Sequence, residues 1–175
     1  MIEYKKQLLD SLSSSEKENL ISFIKGDADA TVPLDVMFEH ECTKHLGAEV
    51  IFAYEDGNLV GAHMWRTASG SGYVNTHPEL QKAIVNAGYL QSELVVTLMT
   101  AVKESHRGKG IGTEMYDLVT QSAASKGFKA MMPVVPSYSK LAVSFLTGQG
   151  EKNLATKLLG YTDFMGYEMR VMPFA

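Results

Sequence analysis

Apolar and polar positions alternate at the start of the chain. Ile2, Tyr4, Lys6 and Leu8 occupy alternate sites and read as a short strand, with a helix as the alternative. The period then changes. Leu20, Ile21 and Ile24 fall at helical spacing, Ser13 and Glu16 have capping-box spacing, and Gly26 stops the pattern, which predicts a helix. A loop over 27–33 precedes a second predicted helix that stops at Gly47. From 49 to 68 two apolar runs flank Glu55-Asp56-Gly57-Asn58, and Asp-Gly between such runs predicts a tight hairpin. Pro78 to Ala87 reads as a short helix closed by Gly88. The run 93–102 is continuously apolar after Glu93, as a central strand buried on both faces would be. Ile111, Met115, Leu118 and Val119 keep helical spacing up to Gly127. A strand over 128–135 follows, then helical patterns over 139–146 and 152–160, then two short strands around Gly166. The predicted order is strand, two helices, hairpin, central strand, helix, strand, helix, hairpin: an α/β domain with a mixed sheet.

Composition narrows this picture. The 175 residues suit one domain over 1–175, and 45% hydrophobic with 21% charged residues is an ordinary globular mix. Neither repeats nor a low-complexity linker mark a second domain. The net charge of -4 offers no general attraction to nucleic acid or an anionic membrane, so neither is an expected partner and any anion site must be local. The single cysteine, Cys42, rules out an internal disulfide. No apolar run is long enough to span a bilayer, and the N-terminus lacks the apolar core of a signal peptide. The expectation is a cytoplasmic protein.

The densest chemical signal is His106-Arg-Gly-Lys-Gly-Ile-Gly112, between the central strand and the next helix. A helix N-terminus leaves main-chain N–H groups unpaired and carries partial positive charge. Glycine permits positive φ and close approach of a ligand. Such a passage can cradle a phosphate or diphosphate, with Arg107 and Lys109 adding charge; the plainer reading is a structural turn. The P-loop pattern fails, because Lys109 lies between glycines, and the dinucleotide fingerprint fails, because the glycines fall at 108, 110 and 112.

What does match is Arg-x-x-Gly-x-Gly over 107–112, directly after a long strand. This resembles the acyl-CoA-binding motif of the GNAT (Gcn5-related N-acetyltransferase) superfamily. The hairpin around Gly57, the run 139–146 and Leu159-Gly160-Tyr161 are also similar to family features. The resemblance implies an α/β (α+β) fold: a mixed, mostly antiparallel sheet of about six to seven strands with helices on both faces. It implies acetyl-CoA as cosubstrate, no metal, and acetyl transfer to a primary amine by direct attack. Main-chain groups of Thr100, Ala101 and Val102 would meet the pantetheine arm, and the N–H groups of Arg107, Gly108, Lys109, Gly110, Ile111 and Gly112 the diphosphate. Ser139 stands where relatives often carry a cofactor-binding Asn, although capping a helix explains it equally well. Pro133 fits a place where the fourth and fifth strands part, because it cannot donate a ladder bond; an edge or bulge fits too.

Catalytic groups are less legible. The tyrosine that usually protonates the leaving thiolate would align with Leu146, so Tyr138 is the replacement candidate. Positions that often carry a base fall on Val96 and Leu98, which leaves Glu93 acting through water, or as a solvated strand-end residue. These departures keep open an alternative function: a catalytically degenerate binding protein of this fold that retains or has lost CoA. An unrelated nucleotide binder is a third reading. The acceptor would be a small-molecule or protein amine. The insertion Gly70 to Leu90 is expected to wall the acceptor site or to form a homodimer contact. His40, Cys42 and His45 do not make a metal site, since 40 is off the face shared by the other two. His63 and Trp65 share one strand face, which borders a pocket or belongs to the core.

Overall fold

The computed structural model describes residues 1–27, 47–136, 157–162 and 167–174. The predicted second helix, the 139–146 helix, Tyr138, Ser139, Leu146, His40, Cys42 and His45 lie outside the described residues. The described elements are β1 (Ile2–Leu8), α1 (Ser14–Asp27), β2 (Glu49–Glu55), β3 (Asn58–Thr67), α2 (Gly72–Thr76), α3 (Pro78–Asn86), β4 (Leu94–Val102), α4 (Ile111–Ser125), β5 (Ala130–Pro136), β6 (Lys157–Thr162) and β7 (Tyr167–Pro173).

The seven described strands are hydrogen-bonded in the order β1-β2-β3-β4-β5-β7-β6. The pairs β1–β2, β2–β3, β5–β7 and β6–β7 are antiparallel, and β4–β5 is parallel. The mixed, mostly antiparallel sheet expected from the sequence is present. Local chemistry set several boundaries. Ser13 Oγ accepts from the Glu16 N–H at 3.2 Å while Glu16 Oε2 accepts from the Ser13 N–H at 2.8 Å, so both halves of the capping box at α1 are made. Asp56 (φ 50°) and Gly57 (φ 78°) form the two-residue turn between β2 and β3, with both residues left-handed as a type I′ hairpin requires.

One expectation is corrected. The helical pattern over 152–160 does not survive at its end, because Lys157–Thr162 is strand β6. Lys-Leu-Leu has good helix propensity, but pairing with β7 (Lys157 opposite Val171, Leu158 opposite Arg170) satisfies its main chain instead. The register shift between Leu158 and Thr162 contains Gly160, a residue that suits a bulge. The insertion holds α3 where Pro78 and Gly88 placed it, and also the five-residue α2, which its sequence did not announce.

The chain forms two compact units, Met1–Arg66 with Leu98–Val119, and Thr67–Thr97 with Thr120–Ala175. In the first, β1, β2 and β3 lie side by side, and Leu20 and Ile24 of α1 are fully buried one helical turn apart. In the second, α3 buries Leu80 and Ile84, and Leu94, Val95, Val96, Met131 and Met132 are fully buried strand residues. The β4–β5 ladder there has four rungs, from Leu94–Ala130 to Thr97–Pro133. Pro133, with no N–H to give, is the last of them.

Candidate functional site

The first unit carries the strand-to-helix passage that the sequence singled out. β4 continues through Leu98–Val102 beyond its last rung with β5. A single 3-10 turn, Glu104–His106, then leads into Arg107–Gly110 and the start of α4 at Ile111. Gly108 has φ +76° and Gly110 has φ +82°. A Cβ built on either would meet nothing within 4 Å, so backbone conformation, not crowding, calls for glycine at both. Both are exposed, as are Arg107 and Lys109. Glu114 N–H donates to the Gly110 carbonyl at 2.9 Å and starts the helical ladder. The N–H groups of Gly110, Ile111 and Gly112 precede it and have no acceptor within the helix. Left-handed glycines, two exposed cations and the unpaired N–H groups of a helix start thus lie within six residues, an arrangement of the kind that suits a phosphate group.

Several contacts hold this passage in place. Gly61 on β3 allows α4 to seat: an added Cβ there would lie 3.1 Å from Ile111 Cγ2, 3.2 Å from Met115 Cε and 3.2 Å from Ala53 Cβ. The Lys103 N–H donates to the Val60 carbonyl at 2.9 Å and anchors the end of β4. Arg107 Nε donates to the Val102 carbonyl at 3.1 Å, so the guanidinium folds back along the strand end. His106 is held from both ring nitrogens, with Nε2 2.9 Å from Glu55 Oε2 and Nδ1 2.8 Å from Ser105 Oγ. The His106 hydrogen bond holds the Glu55 carboxyl below its usual range, and Lys109 contributes in the same direction. The loop is therefore tied to the hairpin end of β2, a link across 51 positions of sequence that no local pattern announces.

Thr100, in the middle of this β4 segment, is held through its side chain. Its Oγ1 lies 2.9 Å from His63 Nδ1. His63 is completely buried, and burial alone pushes its imidazole down to about 3, so the ring is neutral at any ordinary pH. The Tyr116 ring of α4 meets it edge-to-face at 4.7 Å. Of the two readings of His63, core residue or pocket border, the structure gives the core, with a polar bond directed at the candidate ligand-binding strand.

Thr100, Ala101 and Val102 lie together at the end of β4, and the 3-10 turn Glu104–His106 joins them to Arg107–Gly112. Val96 and Leu98 are buried apolar residues, as read. Glu93 sits in the second unit with both oxygens engaged: Oε1 with Lys129 Nζ, and Oε2 accepting from the Leu90 N–H at 2.9 Å. Lys129 first, and the Leu90 amide second, hold its carboxyl below the usual range. Those partners weaken it as a proton acceptor, the opposite of what a base near neutral pH requires. Among the described residues, no helix is long and apolar enough to cross a membrane.

The family model described as the acetyltransferase (GNAT) family matches residues 15–150. No curated protein matches. Among solved structures, the catalytic domain of Tetrahymena GCN5 histone acetyltransferase in complex with coenzyme A superposes with TM-score 0.63 at 12% identity, over 99% of this chain and 93% of that one. The Escherichia coli ribosomal-protein-S18-alanine N-acetyltransferase gives TM-score 0.60 at 9% identity, over 100% and 95% of the two chains. FeeM, an N-acyl amino acid synthase from uncultured soil microbes, gives 0.66 at 8%, over 99% and 92%. At such identities the superpositions establish a shared fold.

Proposed function

We propose that this chain, which belongs to the acetyltransferase (GNAT) family, transfers an acetyl group from acetyl-CoA to a primary amine. The observation that carries the reading is the pair of left-handed glycines, Gly108 and Gly110, presenting the amides at the start of α4 beside Arg107 and Lys109. Open space beside both glycines leaves the backbone accessible to a ligand, which supports the coenzyme reading. The N–H groups of Arg107 to Gly112 would hold the diphosphate. Thr100, Ala101 and Val102 would hold the pantetheine arm, with the Val102 carbonyl already engaged by Arg107.

When bound, acetyl-CoA supplies an activated thioester carbon that an amine attacks directly. The chain's principal contribution is then positioning, which converts an encounter between two molecules into one within a complex. A main-chain N–H of β4 near Val102 would stabilise negative charge on the acyl oxygen. Tyr138 is our candidate for returning a proton to the leaving thiolate, and Ser139 our candidate for a further coenzyme contact. With Glu93 committed to Lys129, the proton on the attacking ammonium is assigned to water or to the acceptor itself. The acceptor is a small-molecule or protein amine, and the protein is cytoplasmic.

Calorimetric titration with acetyl-CoA, followed by thiol release with a panel of amines, tests this. Saturable binding and turnover with at least one amine are expected. Absence of acetyl-CoA binding by the folded protein would overturn the reading, and binding without turnover on any amine would reduce it to a coenzyme-binding module.

A further inference from the structure

His63 and Thr100 pose a hydrogen-bonding question that coenzyme binding would answer. His63 is buried to 0% exposure, yet among the described residues its Nε2 has no hydrogen-bond partner. Its Nδ1 has one, the Thr100 hydroxyl at 2.9 Å. A neutral imidazole carries its single proton on one nitrogen or the other. Placing it on Nε2 would strand an N–H donor in the core, the rarer and more costly kind of orphan; placing it on Nδ1 strands only a lone pair. The tautomer that strands no donor carries the proton on Nδ1, and in it Nδ1 donates to Thr100 Oγ1. The edge-to-face contact with Tyr116 fixes the ring that makes this donation.

That assignment has a consequence for Thr100. A hydroxyl has one O–H and two lone pairs. With a lone pair facing His63, the O–H must point elsewhere, and among the described residues it donates to nothing. Thr100 is half-buried, between the buried residues Leu98 and Ala101, on the stretch of β4 beyond its last rung with β5. An oriented, unused donor thus stands on that strand.

We propose that the Thr100 hydroxyl donates a hydrogen bond to a carbonyl of the acyl-pantetheine arm, and that His63 is the positioning residue that orients it. This rests on the coenzyme reading above and adds to it a side-chain contact on a strand otherwise expected to bind through its main chain. The arm offers amide carbonyls and, when acylated, a thioester carbonyl; both are the acceptor that an O–H seeks.

The test uses the full chain and three probes: acetyl-CoA, free CoA, and ADP carrying a 3′-phosphate, which lacks the arm. Thr100→Val keeps the shape and removes the donor. It should weaken acetyl-CoA by about 3- to 10-fold, the range for one neutral hydrogen bond, and leave the 3′-phospho-ADP affinity unchanged. Thr100→Ser should restore acetyl-CoA affinity to within about 2-fold. His63→Phe should lose as much as Thr100→Val, and the double variant should lose no more, because the two residues act as one unit. A loss shared by acetyl-CoA and free CoA assigns the bond to an amide carbonyl; a loss confined to acetyl-CoA assigns it to the thioester. A folded Thr100→Val protein that binds acetyl-CoA as tightly as wild type overturns the proposal. So does an equal loss for 3′-phospho-ADP, which would mark a general structural effect. In both cases wild-type binding leaves the coenzyme reading intact. A wild-type protein that binds none of the three probes overturns that reading and this one together. If His63→Phe does not fold, the Thr100 pair decides alone.

Discussion

Replacing Gly110 by alanine isolates the part of the site on which the proposed coenzyme binding would depend. Gly110 sits at φ +82° with nothing within 4 Å of an added Cβ. No steric clash accompanies the substitution, so its whole effect is the conformational cost of an L-residue in the left-handed region, about 1–2 kcal/mol. Where that cost appears depends on what holds the loop. Gly110 is exposed, a Cβ there meets nothing within 4 Å, and its carbonyl accepts from the Glu114 N–H at the helix start, so the free alanine variant is expected to relax toward negative φ at the cost of fraying that first bond. Stability should therefore change by little more than that frayed end. Binding must restore the left-handed geometry, and the strain then appears in the affinity. One to two kcal/mol corresponds to about 5- to 30-fold weaker acetyl-CoA binding by calorimetry. Gly108→Ala, at φ +76°, should behave alike. Gly26→Ala is the control: it also has open space but an ordinary φ near the end of α1, and should leave coenzyme affinity untouched. If folded Gly110→Ala protein bound acetyl-CoA with wild-type affinity, the amides of this loop would not be what grips the diphosphate.

Other expectations follow from the packing and the titrating groups. Gly61→Ala places a methyl 3.1–3.2 Å from Ile111, Met115 and Ala53; it should cost about 1–3 kcal/mol in denaturant unfolding as α4 is pushed from β3. His63 has a folded-state affinity for protons far below that of the unfolded chain, so the unfolded state takes up the proton first. As pH falls from about 6.5 to about 3, His63 should remove about 1.4 kcal/mol of stability per pH unit, and His63→Phe should lack that component. Glu93 has the opposite sign. Its carboxyl is held below the usual 4.5, so its stabilisation is complete above that pH and is lost as pH falls through the lowered value. Glu93→Gln should flatten that acid limb of the stability curve, and an unchanged limb would contradict the Lys129 pairing.

Much of the fold was legible because its signals are local. Asp56-Gly57 required a two-residue turn, Ser13 and Glu16 satisfied each other's main chain, and the mostly apolar run of β4 left no face for water over Leu94–Leu98. The strand–glycine–helix passage was legible for the same reason, since the φ values that suit an anion site call for glycine in sequence. Lys157–Gly160 was misread because its residues favour a helix in isolation, and only β7 supplied the partner that made a strand better. The catalytic residues stay partly unread, since general acids and bases are defined by what surrounds them in space.

The sequence by itself therefore determined where the chain turns, which runs are buried, and that a glycine-rich passage carrying two cations joins the central strand to a helix. Tertiary structure alone decided what holds that loop and what its strand presents. The His106–Glu55 tie and the His63–Thr100 bond join residues 51 and 37 positions apart. The physical reason is range: backbone φ preference and apolar period act over a few residues, whereas a hydrogen bond between distant segments exists only once the fold has brought them to within 3 Å.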